Sequence, residues 1–299
     1  MVPIPSCARA TACGAVTLLL AGEALVGCGG RTAISMDSTD QAAAGSAEFY
    51  VQSNVPAMGS ATGASYERSV TFTAVGQNAC TVTSSATTVG PCSVDPCVAP
   101  PPPDGGTETL LNGGAVTIDG ARMPPLTLEP ASDGAYASDT VKGQLAWTAG
   151  GAQVTFQWAH VPGDPSSAGG SVALDTPPYI ALTPGSAFAI PPTTLARDQD
   201  LTVAWASDTT PASADQVAVD LDSGSVELVC IFAASAGMGV IPASALALVP
   251  AGAGSYNVHS KEAATNKSIG GSQWSFGFNV DAQARTSSGL AKGAVTFTP

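Results

Sequence analysis

Short runs in which apolar and polar side chains alternate recur along most of this chain, and they limit its possible folds more than any other feature. Tyr66, Arg68, Val70, Phe72 and Ala74 alternate with Glu67, Ser69, Thr71 and Thr73. Successive side chains of a strand point to opposite faces, so such a run can bury one face and wet the other. Similar runs are Gly114–Ile118, Leu126–Leu128, Val154–Trp158, Leu201–Trp205, Val217–Leu221, Val226–Phe232, Trp274–Phe278 and Ala294–Phe297. Turn formers separate most of them: Asn112-Gly113, Asp133-Gly134, Gly150-Gly151 and Pro177-Pro178. Short strands punctuated in this way predict an all-β fold, an antiparallel β-sandwich of immunoglobulin-like or related type. One short helix is expected over residues 242–248, where Pro242 suits the first turn and Gly252 lies beyond the end.

The N-terminus reads differently. Arg9 precedes the apolar run Ala15–Ala21, which is shorter than the roughly 20 residues a membrane span needs. A weakly basic start, a short apolar stretch and small residues make a secretory signal. The run ends in Leu25-Val26-Gly27-Cys28, followed by Gly29-Gly30. These residues resemble the lipobox of bacterial lipoproteins. The resemblance covers residues 1–30 and implies cleavage between Gly27 and Cys28, with Cys28 as the lipid-attachment residue. In that family's sorting pattern, Gly29 after the cysteine implies the outer membrane. A membrane is therefore expected as a partner through the lipid anchor.

The domain organisation follows. Residues 1–27 are the signal peptide, and 28–46 are the lipidated cysteine with a small, polar, flexible tether. Residues 47–170 form a β-rich domain with disulfides, and 171–299 a second β-sandwich domain. The alternative is one large β domain over 47–299. A faint repeat favours two units: residues 124–130 resemble residues 177–184, and Trp147 and Trp205 follow at similar distances. Residues 228–249 carry no charge, but Gly237, Gly239 and Pro242 break the run. A strand, a turn and a short helix account for it better than a membrane span.

Charge narrows the partners. The net charge is −13 and only 11% of residues are charged, against a usual share of about 25%. A shortage of cations argues against nucleic acid and against an electrostatic hold on anionic lipid. Beyond Cys28 the exported part holds Cys80, Cys92, Cys97 and Cys230. Four cysteines in an exported chain read as two disulfides with three possible pairings. A local bridge is expected around Cys92–Cys97, which lies among turn formers, while Cys230 could equally be a buried thiol. The spacings lack the paired CxxC of a zinc site.

Catalytic signatures are absent from the sequence. It contains no GxSxG, HExxH, GxxxxGK[ST] or GxGxxG motif. His160 reads as a loop residue and His259 as solvated. The pairs Asp198/Asp200 and Asp220/Asp222 each place two carboxylates on one side of an extended segment, which suits calcium, although turn acids look the same. No other cofactor is implied. Trp158 ends its strand beside Ala159-His160 and is the candidate for stacking on a sugar. The composite expectation is a lipid-anchored cell-envelope protein, a non-catalytic binding or structural module with a protein or glycan ligand. The alternatives are a carbohydrate-binding module and a secreted hydrolase using two carboxylates.

Overall fold

The structure is a computed structural model. It describes residues 24–27, 31–34, 45–56, 62–74, 81–82, 87–98, 112–132, 136–137, 139–160, 166, 168–224, 226–262, 267–268 and 274–299. The principal strands are β1 (Gly45–Asn54), β2 (Ser65–Ala74), β3 (Cys92–Val98), β4 (Val116–Gly120), β5 (Met123–Leu128) and β6 (Asp139–Lys142). They continue as β7 (Gln153–Trp158), β8 (Gly170–Asp175), β9 (Ile180–Leu182), β10 (Leu201–Ser207), β11 (Asp215–Ser223) and β12 (Val226–Ala233). The last are β13 (Met238–Ile241), β14 (Gly252–Glu262), β15 (Trp274–Gln283) and β16 (Lys292–Thr298). A 3-10 turn, Ala234–Ala236, and helix α1, Ala243–Leu246, interrupt the β structure. The fold is all-β and sandwich-like, as the alternating runs predict.

One large sheet carries the rest. Its strands run in the order β6-β2-β1-β15-β14-β11-β12-β3, with β16 also paired to β14. Most pairs are antiparallel, but β1 and β15 run parallel over Gly45–Ser53. A four-stranded sheet, β8-β7-β4-β5, covers one part of the large sheet. A five-stranded sheet that starts β13-β10-β9 covers the other.

Two apolar cores fill these layers. In the first, Phe49 of β1 is the hub. Its ring centroid lies 5.7 Å from Phe72, 5.9 Å from Phe156, 5.6 Å from Trp158 and 4.9 Å from Phe278. Edge-on and offset aromatic pairs of this kind add about 0.5–1.5 kcal/mol each beyond area burial. The second core gathers Val203 and Trp205 of β10, Val219 and Leu221 of β11, Leu228 of β12 and Tyr256 and Val258 of β14.

The alternation has one exception of chemical consequence. Arg68 shares the inward phase of Tyr66, Val70 and Phe72, and it is 2% exposed. Its Nη1 donates to the Pro124 carbonyl at 2.6 Å, its Nη2 pairs with the Asp139 carboxylate, and its guanidinium lies 5.3 Å from the centre of the Tyr66 ring. A buried cation persists only when paired and hydrogen-bonded, so Arg68 latches β2 to β5 and β6. At the β4–β5 turn, Gly120 has φ 116°, and a Cβ there would meet the Gln153 carbonyl oxygen at 2.2 Å. Only glycine fits beside this register shift.

Several elements differ from the sequence expectation. The run Cys92–Cys97 is part of a strand rather than a turn. Helix α1 is shorter than expected, with Pro242 as its N-cap. Within the stretch read as tether, Arg31–Ile34 pair with Ala24–Gly27, and Gly45 and Ser46 already belong to β1. Strand β14 lacks a clean apolar alternation, because Ser260 and His259 occupy buried positions that hydrophobic residues usually fill.

Candidate binding face

The central strands turn a polar face away from the cores. On β11, Val217, Val219 and Leu221 enter the second core, so Asp220 and Asp222 lie on the opposite side. On β14, Tyr256 and Val258 point inward and Asn257, His259 and Lys261 outward. On β15, Phe278, Val280 and Ala282 point inward, leaving Asn279 and Asp281 outward. The antiparallel register sets Asp220 opposite Asn257 and Lys261 opposite Asp281. Three strands thus deliver alternating charges to one place.

His259 is the centre of this face. Its Nδ1 lies 3.4 Å from Asp220 Oδ2 and its Nε2 3.8 Å from Asp281 Oδ2. The Asn257 amide nitrogen donates to Asp220 Oδ2 at 3.2 Å and approaches His259 Nδ1 at 3.1 Å. Ser255 Oγ donates to Asp222 Oδ2 at 3.1 Å. His259 and Asp281 are each only 7% exposed. Burial pushes the Asp281 carboxyl above the ordinary carboxylate range, and Asp220 adds to the rise, while His259 and Lys261 oppose it. Burial likewise raises Asp222, against the hydrogen bond from Ser255.

This arrangement clamps three strands together through buried charges and hydrogen bonds. Among the described residues, no serine, threonine or cysteine hydrogen-bonds to His259. The ring is held between the two carboxylates of Asp220 and Asp281. His259 corrects the sequence expectation: it is buried in a network rather than solvated. The phase of β14 is the signal that would have found it, since its neighbours Tyr256 and Val258 fix which residues turn outward.

The other expected site residues are distributed as follows. Asp220 and Asp222 do share one side of a strand. Asp198 and Asp200 lie in the loop before β10, where Asp200 Oδ1 accepts from the Ala243 amide at 2.7 Å and caps α1. No group of three or more His, Cys, Asp or Glu arranged to hold a metal occurs among the described residues. Trp158 is a correction: at 4% exposure it packs in the first core against Phe49 and Phe278 and has no face to offer a sugar. Alternation explains this, because Val154, Phe156 and Trp158 share the inward phase.

Cys92 and Cys230 form a disulfide between neighbouring strands β3 and β12, where they are register partners with Cα atoms 4.0 Å apart. A bridge between Cys92 and Cys97 is thereby ruled out, and Cys230 is not a free thiol. Cys97 lies on β3, and its side chain falls outside the described residues, as do Cys80 and Cys28. Neither the protein-family models nor the curated proteins yield a match to this chain.

Proposed function

We propose that this chain is an exported protein of a bacterial cell envelope, anchored by lipid on Cys28, whose β-sandwich body serves binding or structure rather than catalysis. The observation that carries the reading is the Cys92–Cys230 disulfide. Structural disulfides form and persist in oxidising compartments and are rare in the cytosol. A chain stapled by one fits an exported protein, and residues 25–28 supply a route.

The anchor has a simple physical basis. One acyl chain gives only marginal membrane binding, whereas two give lasting attachment. Lipoproteins of this kind carry at least two. The net charge of −13 adds no electrostatic hold on anionic lipid, so the fatty chains must carry the attachment. Cleavage before Cys28 also severs the connection between Ala24–Gly27 and Arg31–Ile34, so this hairpin belongs to the unprocessed chain alone. The polar face around His259 is the part of the body best suited to a partner with complementary donors and cations.

Fractionation of cells carrying the parent chain and Cys28→Ser tests the proposal. The parent is expected in the detergent-extractable envelope fraction. The variant is expected to lose acyl label and to accumulate unprocessed or in a soluble exported form. Recovery of both chains in the cytosol with reduced thiols would refute it.

A further inference from the structure

A depression of about 580 Å³ opens between the end of β10 and the 3-10 turn Ala234–Ala236. That volume falls within the roughly 300–1,000 Å³ of small-molecule sites. About half of its wall is polar: Ser207, Asp208, Thr209, Thr210 and Ser235 line it beside the buried Trp205. None of the four hydroxyls makes a hydrogen bond to another described residue. None of its lining residues belongs to the network around His259.

Both walls are held rigidly. The Trp205 amide donates to the Gly237 carbonyl at 2.9 Å, and its indole nitrogen donates to the Ala234 carbonyl at 2.8 Å. Gly237 ends the 3-10 turn with φ 68°, a conformation that glycine adopts without strain. On the other side, the Asp208 amide donates to the Tyr179 carbonyl at 3.0 Å. The loop that follows is closed by the Ala212 amide on Asp215 Oδ2 at 2.6 Å. A site whose supports are fixed in this way loses little entropy on binding.

Asp208 supplies the chemistry. Its Oδ1 is turned inward and buried, with no partner in hydrogen-bond geometry. Backbone hydrogen bonds from Tyr179, Asp208 and Thr209 hold the carboxyl in the wall, and Oδ1 is the acceptor left without a partner. Behind it lies Arg285, itself buried and carrying an unbonded Nη2. Burial raises the Asp208 carboxyl, and Arg285 is the largest influence opposing that rise. The guanidinium offsets part of the carboxylate charge, which makes the depression a poor trap for a cation. What remains is a hydrogen-bond acceptor ringed by hydroxyls that can both donate and accept.

We infer that this depression binds a neutral polyhydroxylated ligand, a monosaccharide unit of a glycan, with the Asp208 carboxylate accepting from a sugar hydroxyl and the Ser and Thr side chains completing the contacts. Trp205 is buried, so recognition runs through hydrogen bonds rather than through stacking. This site is independent of the lipid anchor and of the face around His259. It replaces Trp158 as the place where a sugar can be held.

Saturation-transfer NMR on the full chain, with glucose, galactose, mannose and N-acetylglucosamine as separate probes, tests the inference. At least one sugar is expected to give a signal that saturates below roughly 50 mM, the range of a weak millimolar site. Asp208→Asn and Asp208→Ala should weaken it about ten- to hundredfold, the loss of a hydrogen bond to a charged acceptor. Thr210→Val and Ser235→Ala, both at exposed rim positions, carry the test should the Asp208 variants fail to fold. Absence of saturable signal for all four sugars overturns the inference. So does a signal that survives every substitution, or a preference for methylammonium over the sugars.

Discussion

Removing the Cys92–Cys230 disulfide should cost this protein a large part of its stability, and the magnitude follows from where the cysteines lie. They are 138 residues apart in sequence, so the bond closes a long loop in the unfolded chain. The chain-entropy relation then gives about 5 kcal/mol at 25 °C. In the folded state little is lost, because β3 and β12 are already joined by backbone pairing from Cys92 to Pro96. Domains are stable by only about 5–15 kcal/mol in total, so Cys92→Ala/Cys230→Ala should remove a third or more of it. The assay is urea unfolding followed by tryptophan fluorescence, since Trp205 lies in the same core as the bridge. Parent, reduced parent and double variant are compared at equilibrium. The reduced parent and the variant should unfold at similar, much lower urea concentrations. A loss below about 1 kcal/mol, or two freely labelled thiols at Cys92 and Cys230 in the unreduced parent, would refute the reasoning.

Other outcomes are open to measurement. Arg68→Ala should destabilise by about 3–5 kcal/mol, because it strands Asp139 and the Pro124 carbonyl; urea midpoints check this, and a change near zero contradicts the latch. Trp158→Ala should cost about 3–5 kcal/mol through a core cavity while leaving sugar binding at Asp208 untouched. Glu262, pushed up to about 7 by burial and by its neighbours Asp175 and Asp215, gives a pH effect of defined sign. Its folded value lies above its unfolded one, so the fold favours the protonated form and loses stability as pH rises from about 4.5 through about 7. Glu262→Gln should therefore melt higher than the parent near pH 8, with the gap closing toward pH 5. A gap that is equal at both ends would contradict it. His259→Leu should loosen the β14–β15 pairing, which amide exchange at Asn257–Lys261 would report as lost protection.

The strands were legible because burial follows a local period. Val154, Phe156 and Trp158 are two residues apart, and any strand that buries one of them buries all three. The same rule read strictly would have turned Trp158 inward, where it is found. Partnerships were not legible, because they depend on which strands meet. Nothing local in Gly45–Asn54 announces a parallel pairing with Trp274–Gln283. The choice of Cys230 for Cys92 rests on β3 lying beside β12, a fact of the whole sheet. The two candidate sites were hidden for the same reason. Asp220, His259 and Asp281 come from three strands, and Asp208 and Arg285 from segments far apart in the chain. Asp220 and Asp222 could be placed on one side because two residues of one strand suffice to say so. Arg68 was visible in phase but not in meaning, since its partner Asp139 lies on another strand.

Export and lipidation can be tested most directly by intact mass spectrometry of the protein taken from its native host, before and after thiol labelling under denaturing conditions. A chain that starts at Cys28, carries at least two acyl groups and leaves Cys92 and Cys230 unlabelled is expected. A full-length chain starting at Met1, without lipid and with both thiols labelled, would contradict it.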